Sequence, residues 1–392
     1  MDLNSVLRRA VEFGASDIHF KVGRPAILRQ DGNLTILGDS PPLAEIDLDA
    51  ILAAVTELVP AKLAFFHENG ELDVAYTSED LPRFRVNGFR QRGAISFAFR
   101  VIPKEVPSFD ALRLPPGVAR LAEEHRGLVL CTGATGSGKT TTLAAMLDHI
   151  NRTRHQHIVT IEDPIEILHE DRGCIVNQRE VGIDTESYLA AIKRVLRQDP
   201  DIILLGELRD AESAETALKA AESGHLVFST MHTIDAAETI GRMVEFFPGV
   251  KQQQIRSILA GVLKGVVSQR LLPRLGGGRV AAVELMVTNS RISDLIREDK
   301  AEEILEAIEE GSFFQMQTFT QALIELVLAG DVEREVAADA SSNRHDFLVA
   351  LDHALKRQAV GDDDNTNTQP EQAPDPEDEP IPELRVARPA EG

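Results

Sequence analysis

The stretch "GLVLCTGATGSGKTTTLAAMLDHI", residues 127–150, decides how the chain is read. "GLVLC" is an apolar run of strand length, and Leu143, Met146, Leu147 and Ile150 follow it at helical spacing. Between them "GATGSGKT" (133–140) fits the spacing Gly-x-x-x-x-Gly-Lys-[Ser/Thr]. Glycines there let successive backbone N–H groups turn inward around phosphate oxygens, and the helix that follows adds the positive end of its dipole. The pattern assigns Gly133, Ala134, Thr135, Gly136, Ser137, Gly138, Lys139, Thr140 and Thr141 to a nucleoside triphosphate. Lys139 is expected on the β and γ phosphates, and the Thr140 hydroxyl on Mg2+.

Strand and helix signals alternate on either side. "HIVTI" (157–161), "DIILL" (201–205) and "HLVFST" (225–230) read as strands, and "SYLAAIKRVLRQ" (187–198) as a helix. A further helix, "AESAETALKAAES" (211–223), is entered at Asp210 and closed at Gly224. This is an α/β pattern: a mostly parallel sheet with helices on both faces. Mostly helical sequence is expected from there to about residue 358.

Open parallel sheets bind ligands at the carboxyl ends of their strands. The residues leaving the strands are the glycine loop, Glu162 and Asp163, Glu207, and Met231-His232, so these should converge on one edge. Glu207 closes the run "DPDIILLGE" (199–207) and is assigned to orient or deprotonate the attacking water. Gly206 stands where such a strand often carries an acid, which leaves Mg2+ to Thr140, the phosphates and waters, with Glu162 or Asp163 reaching it through water. His232 is the candidate for sensing the γ-phosphate. His225 is either a nucleotide-binding residue or simply hydrogen-bonded to neighbouring backbone. Cys131, on the strand before the loop, is expected to be buried and inert.

Residues 1–104 open with a helix and continue in short alternating segments. "PRFRVNGF" (82–89), the turn "RQRG" and "AISFAFRV" (94–101) form a hairpin with Phe84, Val86, Ile95, Phe97, Phe99 and Val101 inward. Its polar face carries Arg83, Arg85 and Arg100. Phosphoryl transfer gains from an arginine aimed at the transferred group, often from a neighbouring subunit, so if the chain forms a ring this face could meet the next subunit's nucleotide. A proline-rich linker or hinge follows over 105–117, then the nucleotide domain over 118–360. An acidic tail over 361–392 has too little apolar surface to fold.

The formal net charge is −22, and the tail supplies −8 of it. The body stays acidic, which argues against a nucleic-acid partner, since phosphate-backbone affinity rests on clustered Lys and Arg. Two cysteines, Cys131 and Cys174, allow neither a disulfide framework nor a tetracysteine zinc site, and suit a reducing compartment. The first residues lack a signal peptide's apolar core, and no run approaches the length of a membrane span. A cytoplasmic protein is expected.

Several segments, in order from about residue 3 to about 355, resemble the PilT family of type IV pilus retraction ATPases and, more distantly, the wider secretion ATPase superfamily. They are "ASDIHF" (15–20), "FRVNGFRQRG" (84–93), the glycine loop, "TIEDPIE" (160–166), "NQREVG" (177–182), "DPDIILLGELRD" (199–210) and "GHLVFSTMHT" (224–233). The resemblance implies a PAS-like α+β domain ahead of a RecA-like P-loop ATPase domain, assembled as a homo-hexamer that splits ATP with Mg2+. It places Glu162 in the family's Asp box, Glu207 at its Walker B position, His225 and His232 in its His box, and Arg85 and Arg100 among its trans-acting arginines. It further implies a membrane-embedded pilus platform protein as partner, pilin moved indirectly, and paralogous motor ATPases. Extension and type II secretion motors of the superfamily usually carry an extra domain and a tetracysteine module, which this chain lacks. Where retraction motors commonly read AIRNLIRE, this chain has "SRISDLIRE" (290–298), and the acidic tail lies outside the family's core pattern. The alternatives are an extension or secretion motor, a PilU-like accessory motor, a nucleic-acid translocase, and a ring that binds ATP only to assemble.

Overall fold

The computed structural model describes residues 1–365 except 31, 39, 103 and 104. Two sheets organise it. The first is antiparallel throughout, with β1 (Asp17–Lys21), β2 (Ile27–Gln30), β3 (Asn33–Ile36), β4 (Glu71–Tyr76), β5 (Phe84–Gln91) and β6 (Ala94–Val101) in the order β3-β2-β1-β6-β5-β4. The expected hairpin is β5–β6, with Gln91 opposite Ala94. Arg92 and Gly93 both take positive φ between them, as a two-residue turn that follows the strands' twist requires. Inward alternation brings Phe99 edge-on to Phe20, Tyr76, Phe84 and Phe97, with ring centroids 5.2–6.4 Å apart. The helices Leu3–Glu12 and Glu45–Thr56 add Leu7, Ala10, Leu48 and Ile51 to this core.

The second sheet holds β7 (Gly127–Thr132), β8 (His157–Glu162), β9 (Ile175–Glu180), β10 (Ile202–Leu205), β11 (Leu226–Met231), β12 (Leu263–Pro273) and β13 (Arg279–Val287), in the order β13-β12-β7-β11-β10-β8-β9. All pairs are parallel except β12–β13. β7, β10 and β11 are buried along their whole length, as strands covered on both faces must be. Leu128 and Leu130 of β7 face a core shared with the helices Ala211–Glu222, Ala236–Glu245 and Gly249–Val262. Val129 and Cys131 face the helices Pro116–Ala122 and Lys139–Thr153 on the other side.

The expectation of mostly helical sequence after residue 230 is corrected by β12 and β13. The helix Gly249–Val262 passes into β12 at Leu263 with no intervening loop, and β12 is buried on both faces, so neither a boundary residue nor period-two alternation marks it. Its turn carries Gly276, Gly277 and Gly278, all at positive φ. Residues Met1–Arg344 form one compact unit, and His345 onward a second, described as part of the helix Arg344–Asn365. The acidic tail expected from 361 lies outside the described residues from 366 on.

Candidate nucleotide site

β7 ends at Thr132, and the chain then turns through Gly133, Gly136 and Gly138, all at positive φ. At Gly133 the need for glycine is steric as well. A Cβ there would lie 2.4 Å from the Gln269 carbonyl and 2.6 Å from Ser137 Oγ. Gly138, left-handed, launches the helix Lys139–Thr153. Lys139 is only 8 % exposed, and its Nζ donates to the carbonyls of Gly133 (2.7 Å) and Ala134 (3.0 Å). Burial lowers its pKa, with Glu207 and Glu166 among the charges that oppose the shift. Ser137 Oγ is buried without a hydrogen-bond partner. An ammonium resting on loop carbonyls, an unpartnered hydroxyl and a glycine-lined turn at a helix N-terminus together fit a phosphate chain. Thr140 and Thr141 are half-buried in the first turn of that helix.

β12 braces the loop. Gln269 donates to Thr142 Oγ1 (2.9 Å), and Thr132 Oγ1 donates to Ser268 Oγ (2.9 Å). Cys131 is buried on the strand before the loop, its thiol pushed up to about 12 by burial, and is inert as expected.

The other strand ends arrive beside the loop. Gly206 continues the ladder by donating to Ile161 O (2.9 Å), and a Cβ on it would sit 3.2 Å from that carbonyl, so close approach to β8 favours glycine there. Glu207 N donates to the Tyr188 hydroxyl (3.2 Å). Arg209 Nε lies 2.5 Å from Glu207 Oε1, Arg209 Nη2 2.9 Å from Oε2, and His232 Nε2 3.6 Å from Oε2. The hydrogen bond from Arg209 foremost holds the Glu207 carboxyl below its ordinary pKa.

The segment after β8 separates its carboxylates. Glu162 is 8 % exposed and accepts from Thr160 Oγ1 (2.6 Å) and Gln178 Nε2 (3.1 Å); burial raises its pKa. Glu166 is half-buried, accepts from Arg85 Nη1 (3.3 Å), and acts electrostatically on Lys139 and Glu162. Arg85 also pairs with Asp73 (3.1 Å). Arg83 pairs with buried Glu180, which accepts from Ile165 N (3.1 Å). The first sheet thus reaches the edge of the second through Glu166, after β8, and Glu180, at the end of β9, of the same chain.

The structure therefore brings together Lys139, Glu207, His232 and Glu166, with Arg85 reaching Glu166. It does not bring in His225. That residue precedes β11, at the amino edge of the sheet, and its Nδ1 lies 3.0 Å from Ser223 Oγ and Ala220 O. The local backbone reading of His225 is the one that holds within the chain. Arg100 pairs with Asp17 (2.9 Å) and is 68 % exposed, off the site within this chain. Glu166, Arg209 and Tyr188 were not assigned from the sequence. Glu166 lay within "TIEDPIE", but only the path of the segment after β8 shows which of its acids faces the loop.

Residues 1–277 match the family model described as Type II/IV secretion system protein. The type IV pilus retraction ATPase PilT of Pseudomonas aeruginosa is 44% identical over 347 residues, 88% of this chain and 100% of that protein. The chain belongs to this family. The type IV pilus ATPase PilU of the same organism is 36% identical over 90% of this chain and 91% of its own length. A crystal structure of the pilus retraction motor PilT with bound ADP superposes at a TM-score of 0.81, with 44% identity over 88% of this chain and 98% of that one. The seven-stranded sheet is accordingly a RecA-like ATPase core, with the glycine loop on its edge. No helix among the described residues is long and apolar enough to cross a membrane.

Proposed function

We propose that this chain is an ATP-driven motor that retracts type IV pili, acting as a homo-hexameric ring at the cytoplasmic face of the inner membrane. The observation that carries the reading is the convergence of Lys139, Glu166, Glu207 and His232 on one sheet edge in a chain that matches PilT along that protein's whole length. In this reading Lys139 exchanges its loop carbonyls for phosphate oxygens, and the loop amides with Ser137 complete the cradle. Glu207 orients and deprotonates the attacking water, and His232 beside it senses the γ-phosphate. Among the described residues no group of three or more His, Cys, Asp or Glu could hold a metal ion. Mg2+ would therefore be bound by Thr140 together with the substrate's phosphates and water, where it neutralises phosphate charge.

Arg85 and Arg100 are cross-strand neighbours and supply positive charge to the phosphates. Arg85 has the shorter path, since it already touches Glu166 of its own chain. Arg100, exposed and paired among the described residues only with Asp17 of its own chain, would reach the phosphates of a neighbouring subunit. Residues 105–117 between the two sheets would be the hinge of this motion. The load would be a membrane-embedded platform protein, through which pilin is moved, with no nucleic-acid partner.

A second reading, a PilU-like accessory motor, is favoured by the identity to PilU and by the helix Ser290–Glu298. Its buried face keeps Ile292, Leu295 and Ile296, whereas Arg291 and Asp294 form ion pairs with Glu310 and Arg297 on the exposed face. The departures from the retraction-motor pattern thus change the surface offered to a partner more than the fold. The decisive experiment is pilus dynamics in cells deleted for the protein and complemented with wild type or Glu207→Gln. Retraction should be lost on deletion, restored by wild type and not by Glu207→Gln, and the purified variant should split ATP at least about 10²-fold more slowly. Normal retraction in the deleted strain would sink the main reading; loss only when a paralogous motor is impaired would select the accessory one.

A further inference from the structure

One guanidinium occupies both oxygens of the Glu207 carboxylate, with Arg209 Nε on Oε1 at 2.5 Å and Nη2 on Oε2 at 2.9 Å. The backbone that carries the pair is fixed on both sides. Gly206 O accepts from Thr230 Oγ1 (2.7 Å), Leu208 N donates to Thr230 O (3.0 Å), and Asp210 caps the next helix through Ser213 N (2.8 Å). The side chains are the part able to move, and Arg209 is 70 % exposed against 24 % for Glu207.

We propose that Arg209 is a positioning residue that brakes the reaction, holding Glu207 in an ion pair that must open before water can be activated. The inference rests on Glu207 being the base. A carboxylate chelated by a guanidinium is a weaker base than one in water, and its lone pairs are directed at the arginine rather than at a nucleophile. The lowered pKa of Glu207 agrees with this. A second seat for the released guanidinium exists. Asp163, at the exit of the adjoining strand β8, is exposed and already acts on Arg209 electrostatically. The other groups facing Glu207 are His232 from the end of β11, Lys139 from the loop helix and the Tyr188 hydroxyl from the helix Tyr188–Val195. None of them chelates it.

The test is steady-state ATP hydrolysis by the full chain across a pH series, with wild type, Arg209→Gln, Arg209→Lys, and Arg209→Gln combined with Glu207→Gln. Arg209→Gln should raise kcat about threefold, the scale of a partly exposed ion pair, with little change in KM. Its acid limb should move to higher pH as Glu207 regains ordinary basicity. Arg209→Lys should fall between, because an ammonium cannot chelate both oxygens. The urea midpoint should not move, since the arginine is at the surface. A kcat at or below the wild-type value, or an unmoved acid limb, overturns the brake and leaves Glu207 as the base. If the double variant turns over as fast as Arg209→Gln alone, Glu207 is not the base, and the brake falls together with that reading.

Discussion

Glu162 and Glu166 stand four residues apart after the same strand, and their surroundings give them different chemistry. Glu162 shares its strand face with Thr160, which donates to it, and Gln178 of β9 covers the remaining approach. A carboxyl so buried, with its pKa raised, is poorly suited to steady phosphate charge or a metal-bound water. Glu166 lies half-exposed among Lys139 and Arg85, where its charge bears on both cations. Glu166→Gln should therefore lower kcat by about 10²-fold at saturating ATP, whereas Glu162→Gln should stay within about threefold of wild type. The reverse order would show that Glu162 swings out to the nucleotide. The sequence singled out Glu162 and left Glu166, in the same motif, unassigned. Strand parity puts Thr160 and Glu162 on one face, yet the partner that seals Glu162 comes from β9, a polar edge strand with little apolar signal. The loop from Gly133 to Thr141 was readable because its chemistry is local and backbone-borne. The Glu207–Arg209 pair was not, because the partner each charge takes beyond the end of β10 depends on the path of the segment after Leu205 and on what the neighbouring strands bring beside it.

β12 and β13 show the same limit one level up, and they carry a buried acid that no motif marked. Glu284 of β13 is 3 % exposed on a strand whose other residues after Arg279 are apolar. It accepts from Ala236 N at 3.0 Å, the first residue of the helix that follows the His232 segment, and from the Phe319 amide at the start of another helix. Two helix N-termini thus converge on one carboxylate. Burial dominates all the same: with Asp235 adding to the rise and Arg270 opposing it, the pKa is pushed up to about 7. For an acid raised from 4.5 on folding, the native chain holds the proton longer than the unfolded one. The stabilisation is then complete below about pH 4.5 and is lost as pH climbs through about 7, roughly 3 kcal/mol at most. Glu284→Gln removes that dependence. Its thermal midpoint relative to wild type should rise steadily from pH 5 to pH 8, and a flat difference across that range, roughly the span of the shift, would contradict the assignment.

The hairpin β5–β6 and the strands β7, β8, β10 and β11 are legible in the sequence from their periodicity, but nothing local announces how the two sheets are joined. In the structure they meet through cations of the first sheet and acids that border β8 and β9: Arg83 on Glu180, and Arg85 on Glu166. Arg83 and Glu180 are nearly sealed from solvent, and Arg83 Nε is buried with no partner. Burial foremost raises the Glu180 pKa, with Arg83 pulling it back down. Such a pair contributes little relative to apolar residues of similar volume, but breaking it leaves a charge stranded in the interface. Arg83→Met should thus cost about 3 kcal/mol in urea unfolding, while Arg83→Met combined with Glu180→Met should recover to within about 1 kcal/mol of wild type. The sign with pH follows from the same carboxyl. Without Arg83 its folded pKa rises further, so the stability that a protonated Glu180 provides is lost over a wider window as pH increases. The single variant should be closest to wild type in mild acid and fall away toward alkaline pH, and the double variant should show neither trend. Equal losses for single and double variants at every pH would mean that the sheets are held by apolar contact alone, and that the Arg83–Glu180 pair merely decorates the join.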